Sequence, residues 1–387
     1  MKLRKVAAVA MTACLVTGAL AGCGKKADEK VIRIGVFEPT TGENGGGGFQ
    51  EVLGIRYARE QHPTVKIGGE EYKVELVEVD NKSDKTEAVN AANKLVSDKV
   101  SVVLGSYGSG VSIAAGQIFE DNKIPAIGCS CTNPQVTEGN SYYFRVCFID
   151  PFQGTVMANY AHQNGAKNAA VITQLGDDYS SGLGNYFRDA FKDLGGTIVS
   201  EQQFQTNQTD FKAILTNIKA ADPDIIFAPS SITTAPLIIK QARELGITAT
   251  IAAGDTWENS TIIENAGADS EGVVLSTFFD EAEPANDEAA AFITGFKEYL
   301  KANKQDEIIP AVSALGYDSY LAAIKAIEAA NSTDPTAIRD ALAGIQFDGV
   351  TGSISFNETG DANKDLAFIK VIKDGRFQFL TTTTLSK

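Results

Sequence analysis

The sequence predicts an α/β protein of two doubly wound parallel-sheet lobes, and three observations carry that prediction. Short β-rich runs alternate with segments of helical period, the signature of βαβ units. The alternation occurs as two similar series in tandem, meeting at Asp150-Pro151. About 365 residues remain once the N-terminal leader described below is set aside, more than a single compact core holds.

In the first series Val31 to Phe37 reads as a strand, Phe49 to Gln61 as a helix, Lys73 to Val79 as a strand and Lys85 to Ser97 as a helix. Val89, Ala92, Leu95 and Val96 are expected to form the stripe that this last helix lays on a sheet. Val100 to Gly105 reads as a buried strand, Ser109 to Asn122 as a helix and Ile124 to Gly128 as the next strand. The second series runs helix Phe152 to Asn164, strand Ala169 to Thr173, helix Ser181 to Leu194 and strand Thr197 to Phe204. It continues through helix Asp210 to Ala220, strand Asp224 to Ala228, helix Thr234 to Leu245 and strands Ala249 to Ala253 and Gly272 to Thr277. The acidic stretch Asp280 to Asp287 reads as a connection to helices over Glu288 to Lys301 and Val312 to Ala330. Strands return at Gly352 to Phe356, Ala367 to Ile372 and Phe377 to Leu380, the last two around the turn Lys373-Asp374-Gly375.

The N-terminus carries Lys2, Arg4 and Lys5 and then an apolar run from Val6 to Leu20, the pattern of a secretory signal. It closes on Leu20-Ala21-Gly22-Cys23, which resembles a lipobox: residues 1–22 are expected to leave and Cys23 to take a diacylglyceryl group and a fatty acid such as palmitate. Residues 23–30 are polar and small, as a tether from a membrane should be. The formal charge of the chain is −15, and losing the three basic residues of the leader makes it more negative. That excludes nucleic acid, whose phosphates demand a basic face. No later run is apolar for about 18 residues, so lipid is the anchor the sequence offers on the extracytoplasmic face of the cell membrane. Cys129, Cys131 and Cys147 make no disulfide framework. With His62 and His162 far from them and no CxxC, neither a metal nor a cofactor is expected.

In open parallel sheets ligands sit where strands end and helices begin. Four such loops are informative: Glu38 to Gly48, Ser106 to Gly110, Gly128 to Pro134 and Gly254 to Ser260. At these loops the sequence resembles the leucine/isoleucine/valine-binding family of ABC-transporter receptors, the type I periplasmic binding proteins. Ile32-Arg33-Ile34-Gly35-Val36 with Pro39 and Thr41-Gly42 is similar to the family's opening strand and loop. Val103-Leu104-Gly105-Ser106 with Ser109-Gly110 resembles its second loop, and Ile124-Pro125-Ala126-Ile127 through Cys131-Thr132-Asn133-Pro134 its third. A helix cue at Phe144-Arg145 with Asp150 and Gln153-Gly154, then Gly176-Asp177-Asp178-Tyr179 and Ala253-Gly254-Asp255, extend the likeness into the second series.

The resemblance implies two lobes joined by a three-crossing hinge, with ligand in the interlobe cleft. Residues 31–149 plus 279–365 would form lobe 1, and 150–278 plus 366–387 lobe 2. The implied function is a monomeric extracytoplasmic receptor of an ABC importer, which captures a small amino acid, branched-chain or related, and delivers it to membrane permease subunits. By the same likeness Ser109 and Thr132 hydrogen-bond the ligand carboxylate, Cys131 contributes through its backbone, Asp255 pairs with the ammonium, and Tyr179 is the second-lobe phenol. Local roles exist for each. Ser109 reads equally as a helix cap, Thr132 as a turn residue, Asp255 and Glu258 as a capping box, and Tyr179 as a half-buried loop tyrosine. Tyr107 and Trp257 border these loops as pocket lining or as packing. Asn44-Gly45-Gly46-Gly47-Gly48 departs from the family, which has bulkier residues there, and reads as added room, close backbone approach or slack.

Two rivals stand beside transport. The same fold serves in sensors that signal to a membrane partner. No effector domain is expected after the second series, which favours delivery. An enzyme is the other rival. The common phosphate-loop, nucleophile-elbow and zinc-protease motifs are missing, and Cys131 as a nucleophile has no histidine placed beside it, so no catalysis is expected.

Overall fold

The computed structural model describes residues 30–384. The leader, Cys23 and most of the tether lie outside the described residues. The first series gives β1 (Val31–Glu38), α1 (Gly45–Gln61), β2 (Thr64–Ile67), β3 (Glu70–Asp80), α2 (Lys85–Ser97), β4 (Val102–Leu104), α3 (Ser109–Asp121), β5 (Ala126–Gly128) and β6 (Tyr143–Arg145). They form a six-stranded sheet in the order β2-β3-β1-β4-β5-β6. All neighbours are parallel except the β2–β3 pair.

The second series gives α4 (Asp150–Gln163), β7 (Asn168–Gln174), α5 (Asp178–Asp193), β8 (Thr197–Phe204), α6 (Lys212–Ala221), β9 (Ile225–Phe227), α7 (Ala235–Glu244), β10 (Thr250–Ala253), α8 (Ser260–Ala266) and β11 (Val274–Thr277). The chain then returns to the first lobe with α9 (Asp287–Ala302), α10 (Ala311–Ala330), α11 (Pro335–Leu342) and the small hairpin β12 (Gln346–Gly349) and β13 (Gly352–Ser355). It finishes with β14 (Leu366–Lys373) and β15 (Arg376–Thr384), which join the second sheet antiparallel to give the order β15-β14-β11-β10-β9-β7-β8. Three segments therefore link the sheets, at residues 146–149, 278–286 and 356–365.

Each sheet has one point where the strand order reverses, and that point positions the site. In the first sheet β1 has β3 on one side and β4 on the other; in the second, β7 lies between β8 and β9. The loops leaving β1 and β4 must part there, as must those leaving β7 and β9, and each parting opens a crevice at the strand ends.

Several elements differ from the sequence reading, each for a local reason. The β2–β3 hairpin was not expected. Its turn is Gly68-Gly69, both at positive φ (63° and 80°), the pair a tight hairpin favours. Tyr143–Arg145 is a strand paired with β5 rather than a helix start. Pro335–Leu342 and Gln346–Gly349 were also unforeseen, although Asp334, whose side chain accepts from the Ala337 amide at 2.9 Å, and Pro335 together are a strong helix start. On α2 the buried face is Ala88, Ala91, Ala92 and Leu95, while Val89 is 37% exposed. The helix presents its small residues to the sheet, so the expected stripe is rotated.

The largest change is at the glycine run. Gly45 to Gly48 form the first turn of α1, not a loop. A Cβ at Gly47 would lie 2.4 Å from the Tyr107 ring, and one at Gly48 would lie 2.1 Å from the Pro39 carbonyl. The run is therefore close packing rather than slack.

Candidate functional site

The two crevices face one another, and the lobes touch around them. Gln174 Nε2 donates to Glu43 at 3.2 Å, the Ile232 amide to Asn44 Oδ1 at 3.2 Å, Asn133 Nδ2 to the Asp178 carbonyl at 2.8 Å, and Tyr107 OH to the Thr256 carbonyl at 3.3 Å. Lys85 adds an interlobe ion pair to Asp178 at 2.7 Å. Between these contacts lies a cavity of about 20 Å³. Its first-lobe wall is Asn44, Tyr107, Gly108, Ser109 and Ser130, and its second-lobe wall is Asp177, Tyr179, Ser231 and Thr256. Asn44 follows β1, Tyr107 and Gly108 follow β4, Asp177 follows β7 and Ser231 follows β9, so both reversal points contribute.

Ser109 is the first residue of α3, and Gly108, with φ at 99°, holds the cap position before it. No side chain caps this helix. The amides of Ser109, Gly110 and Val111 therefore precede the first intrahelical bond, from Ser112 to the Gly108 carbonyl. Ser109 Oγ accepts from the Asn133 amide at 3.1 Å, leaving its proton free to give. Thr132 is fully buried, with its hydroxyl set against the Asp150 carboxyl. Donors thus gather on the first lobe.

Acids stand on both lobes, and on the second they are Asp177 and Asp255. Asp255 opens a short 3₁₀ turn and makes no cap. Its Oδ1 accepts from Gln153 Nε2 at 2.8 Å and Tyr179 OH at 3.0 Å, so Asp255 stands behind the phenol that faces the cavity. Burial pushes its carboxyl up to about 6. The capping-box reading of Asp255 and Glu258 does not hold. Helix α8 begins at Ser260 and is capped by Asn259, which accepts from the Thr261 amide at 3.0 Å. Glu258 instead pairs with Lys370, which also pairs with Asp280 at 2.9 Å. Asp177 caps α5 through the Ser180 amide at 2.6 Å.

Of the residues singled out from sequence, Ser109, Tyr107 and Tyr179 line the cavity. Thr132, Cys131, Asp255 and Trp257 lie behind the wall. The Cys131 carbonyl is taken by Arg145 Nη1 at 2.7 Å, and its thiol, pushed up to about 11 by burial, carries no thiolate at neutral pH. Trp257 is wholly buried, with Nε1 donating to the Ser230 carbonyl at 3.2 Å, and packs in the second-lobe apolar cluster that also receives Tyr107 and Val312 of the first lobe. Sequence reasoning marked the segments that carry Asn44, Ser130, Asp177 and Thr256 without naming these as site residues, and it missed Ser231. Ser231 follows an ordinary short strand, and only the strand order shows that its loop sits at a reversal point.

Behind the first-lobe wall Glu38, Glu51 and Cys129 bring one ligand atom each within 4.8 Å of one another. Burial raises Glu51 to about 7 and Glu38 well above the usual carboxyl range. The Glu38 carboxylate also accepts the Tyr107 amide at 2.6 Å, and Ser130 donates to Glu51, which ties the pair to the cavity wall.

Comparison with known proteins agrees with this architecture. A family model described as periplasmic binding protein matches residues 31–376. Leu/Ile/Val-binding protein homolog 1 of Brucella abortus (strain 2308) is 30% identical over 336 residues, covering 85% of this chain and 87% of that protein. A leucine binding protein from Thermotoga maritima MSB8 superposes with a TM-score of 0.86 at 38% identity, over 92% of this chain and 99% of that one. The branched-chain amino acid transporter substrate binding protein of Streptococcus pneumoniae, solved in complex with isoleucine, superposes with a TM-score of 0.82 at 30% identity, over 92% and 99%. Among the described residues no helix is long and apolar enough to cross a membrane. With two parallel-sheet lobes, a cavity at their facing reversal points and a family match over nearly the whole described chain, this protein belongs to the periplasmic binding protein family.

Proposed function

We propose that this chain is the extracytoplasmic solute receptor of an ABC importer, closing its lobes on a small amino acid and passing it to a membrane permease. One observation carries the reading: the uncapped start of α3, with the Ser109 hydroxyl, lies across the cavity from the Tyr179 phenol, behind which stands Asp255. An α-amino acid presents a carboxylate and an ammonium, and this pairing matches both. The amides at the start of α3 and the Ser109 hydroxyl receive the carboxylate, helped by the helix dipole, with Thr132 behind them. Asp255 supplies the charge for the ammonium and Tyr179 completes the second-lobe wall. Ligand contacts made by both lobes at once favour the closed form over the open one, which is how binding drives a hinge. The names of the Brucella and Thermotoga relatives and the isoleucine bound in the Streptococcus structure support an amino-acid ligand.

The same reading gives Cys23 its purpose. A lipid there holds the receptor beside its permease and raises the local concentration without a spanning helix. A Cys23→Ala chain is therefore expected in the soluble fraction with binding intact. In a thermal-shift panel, an amino acid at about 100 times its Kd adds roughly 2.7 kcal/mol to its stability. If only organic acids, amides or nucleosides shift the melt, the amino-acid reading is wrong. If binding disappears with the lipid, the independent receptor is wrong.

A further inference from the structure

We infer that the site selects an amino acid with a small polar side chain, of the glycine or serine class, over a branched aliphatic one, and that the Tyr107 ring sets the limit. This rests on the amino-acid reading above. Two independent observations carry it, the chemistry of the wall and the room inside it.

The wall holds no aliphatic side chain. Tyr107, Ser109, Ser130, Tyr179, Ser231 and Thr256 all carry hydroxyls, five of which already donate within the protein, and the remaining lining is an amide, a carboxylate and a glycine. A leucine side chain enclosed there would set carbon against the Ser109 hydroxyl and the Asp177 carboxylate, stripping them of water and returning no hydrogen bond. A hydroxymethyl group, or none, leaves those groups satisfied by the ligand or by a retained water. Sites built for polar contacts reject isosteres that lack them far more strongly than apolar pockets reject an extra methylene.

The room is equally restrictive. About 20 Å³ is little more than one water needs, so any amino acid must open the closed cleft and a bulkier one must open it further. A larger ligand must part interlobe contacts that closure makes, and the Tyr107 to Thr256 bond bounds the cavity directly. Tyr107 cannot swing aside. Its ring occupies the space a side chain at position 47 would need, its amide is held by the Glu38 carboxylate at 2.6 Å, and its body is buried beside Trp257 and Val312. Gly47 and Tyr107 thus act as a pair: the missing side chain at one admits the ring of the other, and the ring becomes a fixed wall between the lobes.

The test is calorimetric titration of the full mature chain with glycine, L-serine and L-leucine, in the wild type, Tyr107→Ala and Tyr107→Phe. The wild type is expected to bind serine or glycine at least about tenfold more tightly than leucine. Tyr107→Ala should improve leucine binding by about tenfold or more, while Tyr107→Phe, which keeps the ring, should still exclude it. Leucine binding the wild type as tightly as serine overturns this inference and leaves the amino-acid reading standing. Failure of all three amino acids to bind overturns both. Should Tyr107→Ala not fold, the wild-type ranking decides the ligand class, and leucine entering Tyr107→Phe freely overturns the role of the ring.

Discussion

Replacing Asp255 by asparagine is expected to cost about 2–5 kcal/mol of ligand affinity, which is a loss of roughly 30-fold or more in Kd. Asparagine keeps the size and the oxygen that accepts from Gln153 and Tyr179, so the change removes charge and little else. The ligand ammonium would then be buried without its counter-ion, the arrangement that makes such truncations severe. The effect on the empty protein has the opposite sense. The Asp255 carboxyl is raised to about 6, above its unfolded value near 3.9. Its contribution to stability is therefore full at pH below about 4 and is lost as pH rises through about 6. At pH 8 the asparagine chain, spared a buried charge, should melt no lower than the wild type while binding far more weakly. Ligand affinity has its own pH dependence, because the ammonium needs the ionised carboxylate. Wild-type affinity should fall by up to about tenfold per pH unit below about 6, and the component that belongs to Asp255 should vanish in Asp255→Asn. Calorimetry at pH 5 and pH 7.5 reads both. An unchanged Kd in Asp255→Asn would remove the acid from the site.

Arg145→Met is expected to lower stability by about 3–5 kcal/mol and to abolish binding with it. Arg145 is wholly buried. Its Nε meets Asp361 at 2.6 Å, Nη1 donates to the carbonyls of Cys131 and Asn133 at 2.7 Å each, and Nη2 donates to Thr137 Oγ1 at 2.7 Å and the Pro134 carbonyl at 3.3 Å. One guanidinium thus shapes the loop that carries Thr132 and ties it to the third link between the lobes. Methionine fills much of the volume and satisfies none of these acceptors, leaving the Cys131 carbonyl without its donor and the Asp361 carboxylate without its cation. For lobes of this size the loss should bring the melting temperature down by roughly 10 °C. Lysine should rescue little, since a point ammonium cannot reach acceptors arranged for a planar fork. A melt of Arg145→Met within a degree or two of wild type would show that the loop holds its shape without the fork.

The architecture was legible because it rests on periodicity and order. The strands of both sheets other than β2 and β6, and the long helices such as Lys85–Ser97 and Ala311–Ala330, lie where alternating and helical patterns place them. What the pattern hid were features settled by packing between distant segments. The glycines at 45–48 look like a loop by composition, yet they open a helix, with Gly47 packed against Tyr107 sixty residues on and Gly48 against Pro39. Asp255 and Glu258 have the spacing of a capping box, but Lys370 at the far end of the chain claims the glutamate. Ser109 and Tyr179 could be placed on the cavity by the family likeness, Ser109 also because it stands where a helix follows a strand. Asp177 and Ser231 could not be ranked above other loop residues until the strand order located the reversal between β7 and β9.

The central claim is that one zwitterion bridges donors on the first lobe and an acid on the second. The most direct measurement takes the amino acid that shifts the melt most and compares it calorimetrically with its methyl ester and with the corresponding amine lacking the carboxylate. The account predicts that the intact amino acid binds and that both derivatives bind at least about 100-fold more weakly, each having lost one charged end of a buried pair. An ester or amine that binds as tightly as its parent would contradict it.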